Sequence, residues 1–203
     1  MAIVVNALFF EDGDYALYLD LLAQAAEQAH TQIWSYCLMP NHVHIIAVPS
    51  YEDGLRRTFR YVHRHYTGYI NARLLTTKHL WQGRFSLVAM DEEHLHQAFR
   101  YVALNPVRAR LVKRPEDWRW SSVRAHFAGA DDYVVKVDPA LERVGHFCAF
   151  LGEEFDEAMS YVALRKAESV GRPIGSKDWL ADMEANTGLT LAPQKRGPKA
   201  AVK

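Results

Sequence analysis

The chain has 203 residues, 49% of them hydrophobic and five of them Trp, which suits one domain of moderate size with a real core and room for an appendage. It holds no apolar run of 18 residues, so no membrane-spanning helix is expected, and the opening MAIVVNALFFEDGD turns acidic at Glu11 without the basic start of a secretory signal. The net charge of +0 argues against a uniformly basic nucleic-acid binder.

The charge is nevertheless segmented. Residues 1–50 carry Glu11, Asp12, Asp14, Asp20 and Glu27 and no Lys or Arg, whereas residues 51–90 carry Arg56, Arg57, Arg60, Arg64, Arg73, Lys78 and Arg84 against Glu52 and Asp53. Residues 131–170 are acidic again and the tail from 171 is basic. Such a chain can present a basic face to phosphates, although each segment alone also reads as solvated charge. Cys37 and Cys148 are far apart, without metal-ligand spacing, and are expected to be two buried thiols in a reducing compartment.

In chain order, a first short strand falls within Ile3–Phe10, and DYALYLDLLAQAAEQA (14–29) has the Leu17, Leu21, Ala25 stripe of a helix. TQIWSYCLM and HVHIIAV read as two strands joined by a tight turn, a hairpin. From Tyr51 to about Leu75, Leu55, Phe59, Val62, Tyr66, Tyr69 and Ile70 keep helical spacing while the arginines occupy other faces. A Gly turn precedes a short strand at Phe85–Met90, and Asp91 is a plausible N-cap for a helix over about Glu92–Leu104, with Pro106 ending it or starting the next turn. Residues 118–129 suit a short helix or turn packed by Trp118 and Trp120; residues 133–169 read as mostly helical; and Ser176 caps a small helix near Lys177–Asn186, followed by a Pro/Lys/Gly-rich tail. The order implies an α+β fold, an antiparallel sheet with helices on one face.

In MPNHVHIIAVPS, His42 and His44 are two apart, so on a strand they share one face while Val43 turns to the other. Two imidazoles that close can share a transition-type divalent cation. An H-x-H pair also arises by chance, as a turn cap or a core hydrogen-bonding pair. Tyr101 and Asn105, in RYVALNPVRARLV, are four apart and share a helix face. Alone, Tyr101 reads equally as a packing aromatic and Asn105 as a cap before a proline.

Four blocks in order, YCLMPNHVHIIAV, LWQGRF, RYVALNPVRARLV and DWRWSS, resemble the REP-associated tyrosine transposases, single-tyrosine members of the HUH (His-hydrophobic-His) transposases. The similarity runs from about Phe10 to Gly129. It implies an RRM/ferredoxin-like antiparallel sheet with packed helices over residues 1–130, with a helical extension over 131–170 and a basic, partly disordered DNA-contacting tail over 171–203. It implies that His42, His44 and Asn105 hold a divalent metal, Mg²⁺ or Mn²⁺, and that Tyr101 is the nucleophile. Trp81, Gln82, Arg84, Pro106 and Arg108 match blocks with roles in architecture or DNA contact. Arg56, Arg60 and Arg64 could track phosphates, as could Lys195, Arg196 and Lys199 in the tail. The implied partner is single-stranded DNA with palindromic hairpins, bound by a monomer or homodimer in the cytoplasm, at the nucleoid. The usual polar, Arg- and Gly-containing end of the first strand is missing; either Ile3–Leu8 takes its place or the chain begins late. The implied activity is metal-dependent nicking and strand transfer through a 5′-phosphotyrosine. The competing reading is a domesticated hairpin-binding protein that does not cut. A zinc phosphoesterase would need further ligands close by, and IIAV follows His44.

Overall fold

The computed structural model describes residues 7–77, 79–81, 85–153 and 157–191, with backbone alone for 157–160. Its sheet is the expected hairpin: β1 (Thr31–Met39) and β2 (His42–Pro49) run antiparallel, with Met39 opposite His42, Cys37 opposite His44 and Leu38 opposite Val43. Around it, in chain order, are α1 (Asp12–Gln28), α2 (Gly54–Arg73), α3 (Glu92–Arg108), α4 (Val123–Ala128), α5 (Asp138–Val144), α6 (Phe147–Gly152), α7 (Glu157–Val170) and α8 (Lys177–Thr187).

Alternation along the hairpin sorts its side chains into two layers. Tyr36, Leu38, Val43, Ile45 and Ala47 turn toward α1 and α2, whose Tyr18, Leu22, Phe59, Val62, Tyr66 and Ile70 complete one core. Cys37, Met39 and Ile46 turn the other way, onto Leu95, Phe99 and Val102 of α3 with Ala140, Phe147, Tyr161 and Leu164 of α5, α6 and α7. Helices therefore cover both faces of the hairpin, not one as expected. The second face is buried by α3 together with apolar residues of the acidic 131–170 segment, partners that the sequence pattern of the hairpin does not assign.

The α+β class holds, but the wider RRM-like sheet is reached only in part among the described residues. The first strand was expected over Ile3–Phe10; residues 3–6 lie outside the described ones, and 7–10 are irregular because the N–H groups of Leu8 and Phe9 both bond to Pro40 O in the hairpin turn, at 2.9 and 3.2 Å. The expected strand at Phe85–Met90 is likewise irregular and contributes one bridge, Met90 with Ile174. The outer edge of β1 is covered instead by short contacts: Leu38 N donates to Trp120 O at 2.9 Å, Ser122 N to Tyr36 O at 3.0 Å and Lys136 N to Ile33 O at 2.8 Å. The DWRWSS block thus serves as an edge cover for β1, and helix begins only at Val123.

Asp14 joins the ends of α1 and α2. Its carboxylate is fully buried, accepts from Phe10 N at 2.8 Å and Glu11 N at 3.2 Å, and forms a two-pronged pair with Arg73. Arg73 also pairs with Glu11. Asp91 caps α3 by accepting from His94 N at 3.0 Å, as its sequence position suggests, and its other oxygen accepts from Ser176 N at 2.7 Å. Ser176 in turn caps α8 through Trp179 N at 3.2 Å. Hydrogen bonds from these two backbone amides and from His94 favour the ionised Asp91 and pull its pKa down against a partial burial that opposes them.

The course of α3 departs from the sequence expectation in a way that matters for the site. Proline lacks the N–H that would bond four residues back and normally ends or kinks a helix. Here α3 continues through buried Pro106 to Arg108, and Ala109 N bonds back to Asn105 O at 2.9 Å. Asn105 is therefore an interior helix residue rather than a cap. Tyr101, Asn105 and Arg108 lie at i, i+4 and i+7 on one continuous face. Of the cysteines, Cys37 is buried as expected, but Cys148 is exposed. Among the described residues no helix is long and apolar enough to cross a membrane.

Candidate active site

β2 carries the two histidines on the layer that faces α3 and α7. Their Nε2 atoms approach to 3.0 Å. Each Nδ1 is held by a protein acceptor: His42 Nδ1 faces Asn41 Oδ1 at 2.7 Å, and His44 Nδ1 faces Glu168 Oε1 at 3.2 Å. An acceptor on Nδ1 requires the proton there, which leaves the Nε2 lone pair as the free one. Two neutral rings in that state set two lone pairs against each other. A shared cation between them relieves the repulsion, so the donor chemistry fits a metal. The 3.0 Å spacing also matches the roughly 3 Å between adjacent ligands of an octahedral ion with bonds of about 2.1 Å.

His42 keeps an exposed edge, yet its pKa is pushed down to about 4, first by desolvation against the protein, then by neighbouring His44, with Glu168 opposing. It is thus neutral near pH 7, the form that binds metals. Among the described residues, no group of three His, Cys, Asp or Glu could hold a metal ion. A third ligand drawn from the described residues would be of another type, and buried Asn105 is the amide that the sequence resemblance assigns to that place. Cys37, opposite His44 in the hairpin register, does not compete for this role: burial pushes its thiol pKa well up, and its Sγ points to Met39 Sδ at 3.7 Å.

Tyr101 stands against this pair. Its ring meets the His44 ring edge to face, with centroids 5.2 Å apart, and the residue is 8% exposed. On its other side it meets the Tyr161 ring at 5.1 Å, and the Arg108 guanidinium lies 4.4 Å from its centroid. The structure therefore brings together His42, His44, Tyr101 and Arg108, with Asn105 one helical turn after Tyr101. It also adds two residues that sequence reasoning missed, Tyr161 and Glu168 of α7. No local pattern marks either one; both lie on an unremarkable amphipathic helix some sixty residues beyond Tyr101, and only the packing of α7 on α3 brings them in.

The other predicted DNA contacts do not join this cluster. Arg56, Arg60 and Arg64 are exposed on α2, in the layer behind the hairpin, and Arg56 forms a loose pair with Asp53 at 3.9 Å. Arg84, Lys195, Arg196 and Lys199 lie outside the described residues, as does Gln82. Trp81 is in the α1/α2 layer, stacked on His63 at 3.8 Å and donating through its indole N–H to Thr67 Oγ1 at 2.9 Å, which favours the architectural role over direct DNA contact for this residue.

The family described as "Transposase IS200 like" matches residues 6–105, a span that contains His42, His44, Tyr101 and Asn105 and stops short of Arg108, Tyr161 and Glu168. A solved REP-associated tyrosine transposase bound to a REP hairpin superposes with a TM-score of 0.48 at 21% identity, over 63% of this chain and 76% of its own. Among curated proteins none matches.

Proposed function

Since this chain belongs to the IS200-like transposase family, we propose that it nicks and rejoins single-stranded DNA beside palindromic hairpins, with Tyr101 as the nucleophile. The observation that carries this reading is the edge-to-face contact of Tyr101 with His44, whose Nε2 converges on that of His42. A packing tyrosine has no need of two imidazoles turned toward one another, and a histidine pair serving only to satisfy hydrogen bonds has no need of a tyrosine beside it.

In the proposed reaction the Tyr101 oxygen attacks the phosphorus of a phosphodiester. An O–P bond forms to the 5′ side of the break and the bond to the 3′ oxygen opens. The proton lost by the phenol is balanced by the one taken up by the leaving 3′ oxygen. Because one ester replaces another, a free 3′-OH can reverse the step and join strands without an external energy source. His42, His44 and Asn105 would hold Mg²⁺ or Mn²⁺, which when bound supplies positive charge to a phosphodiester oxygen. Glu168 and Asn41 orient the two imidazoles so that their Nε2 atoms stay available. Tyr161 and Arg108 fix the plane of the Tyr101 ring.

The preference for hairpins is what the sequence resemblance implies, and so is the REP association. The exposed ridge of Arg56, Arg60 and Arg64 would contact DNA away from the break, since it lies behind the hairpin from Tyr101. The decisive experiment incubates the protein with a library of end-labelled single-stranded hairpin oligonucleotides and Mn²⁺ or Mg²⁺. A covalent adduct is expected with wild type and none with Tyr101→Phe, at closely similar melting temperatures. Nicking that survives Tyr101→Phe would overturn the mechanism, and binding without any nicking by folded wild type would establish the non-cleaving reading instead.

A further inference from the structure

Arg108 is bound in an arrangement that leaves one of its donors buried and unanswered. The guanidinium carbon sits 4.4 Å from the ring centroid of Tyr101 and 4.5 Å from that of Tyr161, the two rings being 5.1 Å apart and nearly perpendicular at 69°. These contacts engage the π faces of the rings and use no hydrogen bond. Among the described residues its buried Nη1 group has no hydrogen-bond partner.

Leaving a buried donor unpaired costs on the order of 1–3 kcal/mol, and more for a charged group. The rest of the chain avoids that cost for its buried arginine. Arg100, two turns earlier on the same helix, also lies over a ring, that of Phe150 at 4.4 Å, yet its Nη atoms reach Leu151 O, Glu153 O and Glu153 Oε2 at 3.4, 3.0 and 3.3 Å. Arg100 has the partners of a structural arginine. Arg108 has the position without the partners, and the residue it leans on is the proposed nucleophile.

A guanidinium always carries its charge and offers donors in a planar fork that matches two oxygens of one phosphate. The guanidinium carbon and the two ring centroids form a triangle with sides of 4.4, 4.5 and 5.1 Å, so both tyrosines lie to one side of the fork and leave Nη1 without a partner in the protein. We infer that Arg108 is a direct phosphate-binding residue of this centre, whose Nη1 receives a non-bridging oxygen of the phosphodiester that Tyr101 attacks. The identity of that phosphodiester rests on the function proposed above; the anion site itself does not. Arg108 would then both place phosphorus at the phenol and oppose the charge that grows on the phosphoryl oxygens during attack. The continuity of α3 through Pro106 is what makes this possible, because a helix ending at Leu104 would not deliver residue 108 to the face of residue 101.

The test reads the wild-type side chain directly. The ¹⁵N guanidinium signals of Arg108, identified by their loss in Arg108→Gln, are followed while the dinucleotide dTpdT is added, and again with its neutral methylphosphonate analogue. A saturable shift with dTpdT that is absent with the analogue is expected. No saturable shift, or the same shift with both compounds, would overturn the inference. A second arm measures adduct formation on whichever hairpin wild type nicks: Arg108→Gln is expected to slow it by about 10²-fold or more, as removal of a transition-state donor does, with an unchanged melting temperature, and nicking at the wild-type rate would also sink the idea. A dTpdT-specific shift without any adduct on hairpin DNA would retain the phosphate site and dismiss the proposed function; adducts without the shift would do the reverse.

Discussion

The two faces of one hairpin have opposite characters. Behind it, Val43, Ile45 and Ala47 enter an apolar layer with α1 and α2 in which aromatic rings interlock, Phe9 on Tyr15 at 4.2 Å and Tyr15 on Trp120 at 4.8 Å. In front, His42 and His44 leave the core and meet a tyrosine, a glutamate and an arginine whose donor is unanswered. A strand separates the layers by a period of two, so neighbours in sequence serve different ends. The back face is apolar, while the front combines an apolar layer on α3 with groups that are costly until a ligand arrives.

That division can be broken first from behind. Ile70 of α2 is fully buried in the back layer, and Ile70→Ala is expected to cost about 2–5 kcal/mol. For a chain of this length each kcal/mol lowers the melting temperature by about 2–4 °C. Calorimetry should show that fall, while Mn²⁺ affinity measured well below the transition stays within error of wild type. A loss of metal affinity in the folded variant would mean that the layers are coupled through the hairpin.

The next effect uses pH. His63 is embedded in the back layer, its ring stacked on Trp81 at 3.8 Å and near Phe59 at 5.9 Å and Tyr18 at 6.4 Å, and burial pushes its pKa down to about 4 from 6.5. Because the folded pKa is the lower one, the unfolded chain binds more protons between the two values. Stability is therefore full above about pH 6.5 and falls as pH drops toward 4, by about 3 kcal/mol from this group. His126, pushed down by burial between Ser122 O and Trp34 O, acts in the same direction. Denaturant melts of wild type and His63→Phe at pH 7 and pH 4.5 check this: the variant should lose visibly less stability on acidification, and parallel losses would count against the assignment.

The smallest effect belongs to the front. Glu168→Ala removes the carboxylate on His44 Nδ1, a partly exposed group, and should leave the melting temperature within a degree or two. Orienting partners of metal-bound histidines are typically worth 10–100-fold in affinity. Titration with Mn²⁺ followed by its electron paramagnetic signal should show a weakening of that size, with Glu168→Gln intermediate because it can still accept from Nδ1. Unchanged affinity would make the contact incidental.

Much of this molecule is legible along the chain. The hairpin, the helical stripe of α2, the Asp91 and Ser176 caps and the shared face of His42 and His44 follow from local periodicity and side-chain chemistry, and those act within a few residues. The described end of the first strand, residues 7–10, and the Phe85–Met90 strand were not, because a short β-rich segment forms a ladder only if a neighbour meets it, and here the backbone groups found other acceptors. The end of α3 was misjudged for a related reason. Proline sets a local cost, but burial of Pro106 and its neighbours outweighs it.

By itself, then, the sequence determined which residue types could do chemistry here: two histidines in phase on a strand, and a tyrosine and an asparagine in phase on a helix. Spacing of 2 and of 4 is a property of the backbone, and it needs no partner. Only the tertiary structure decided that the helix faces the strand, that it runs on to bring Arg108 beside Tyr101, and that α7 lays Glu168 against His44 and Tyr161 against Tyr101. Those contacts join residues about sixty to one hundred and twenty positions apart. They are set by which apolar faces bury one another, and that competition is settled by the whole chain at once.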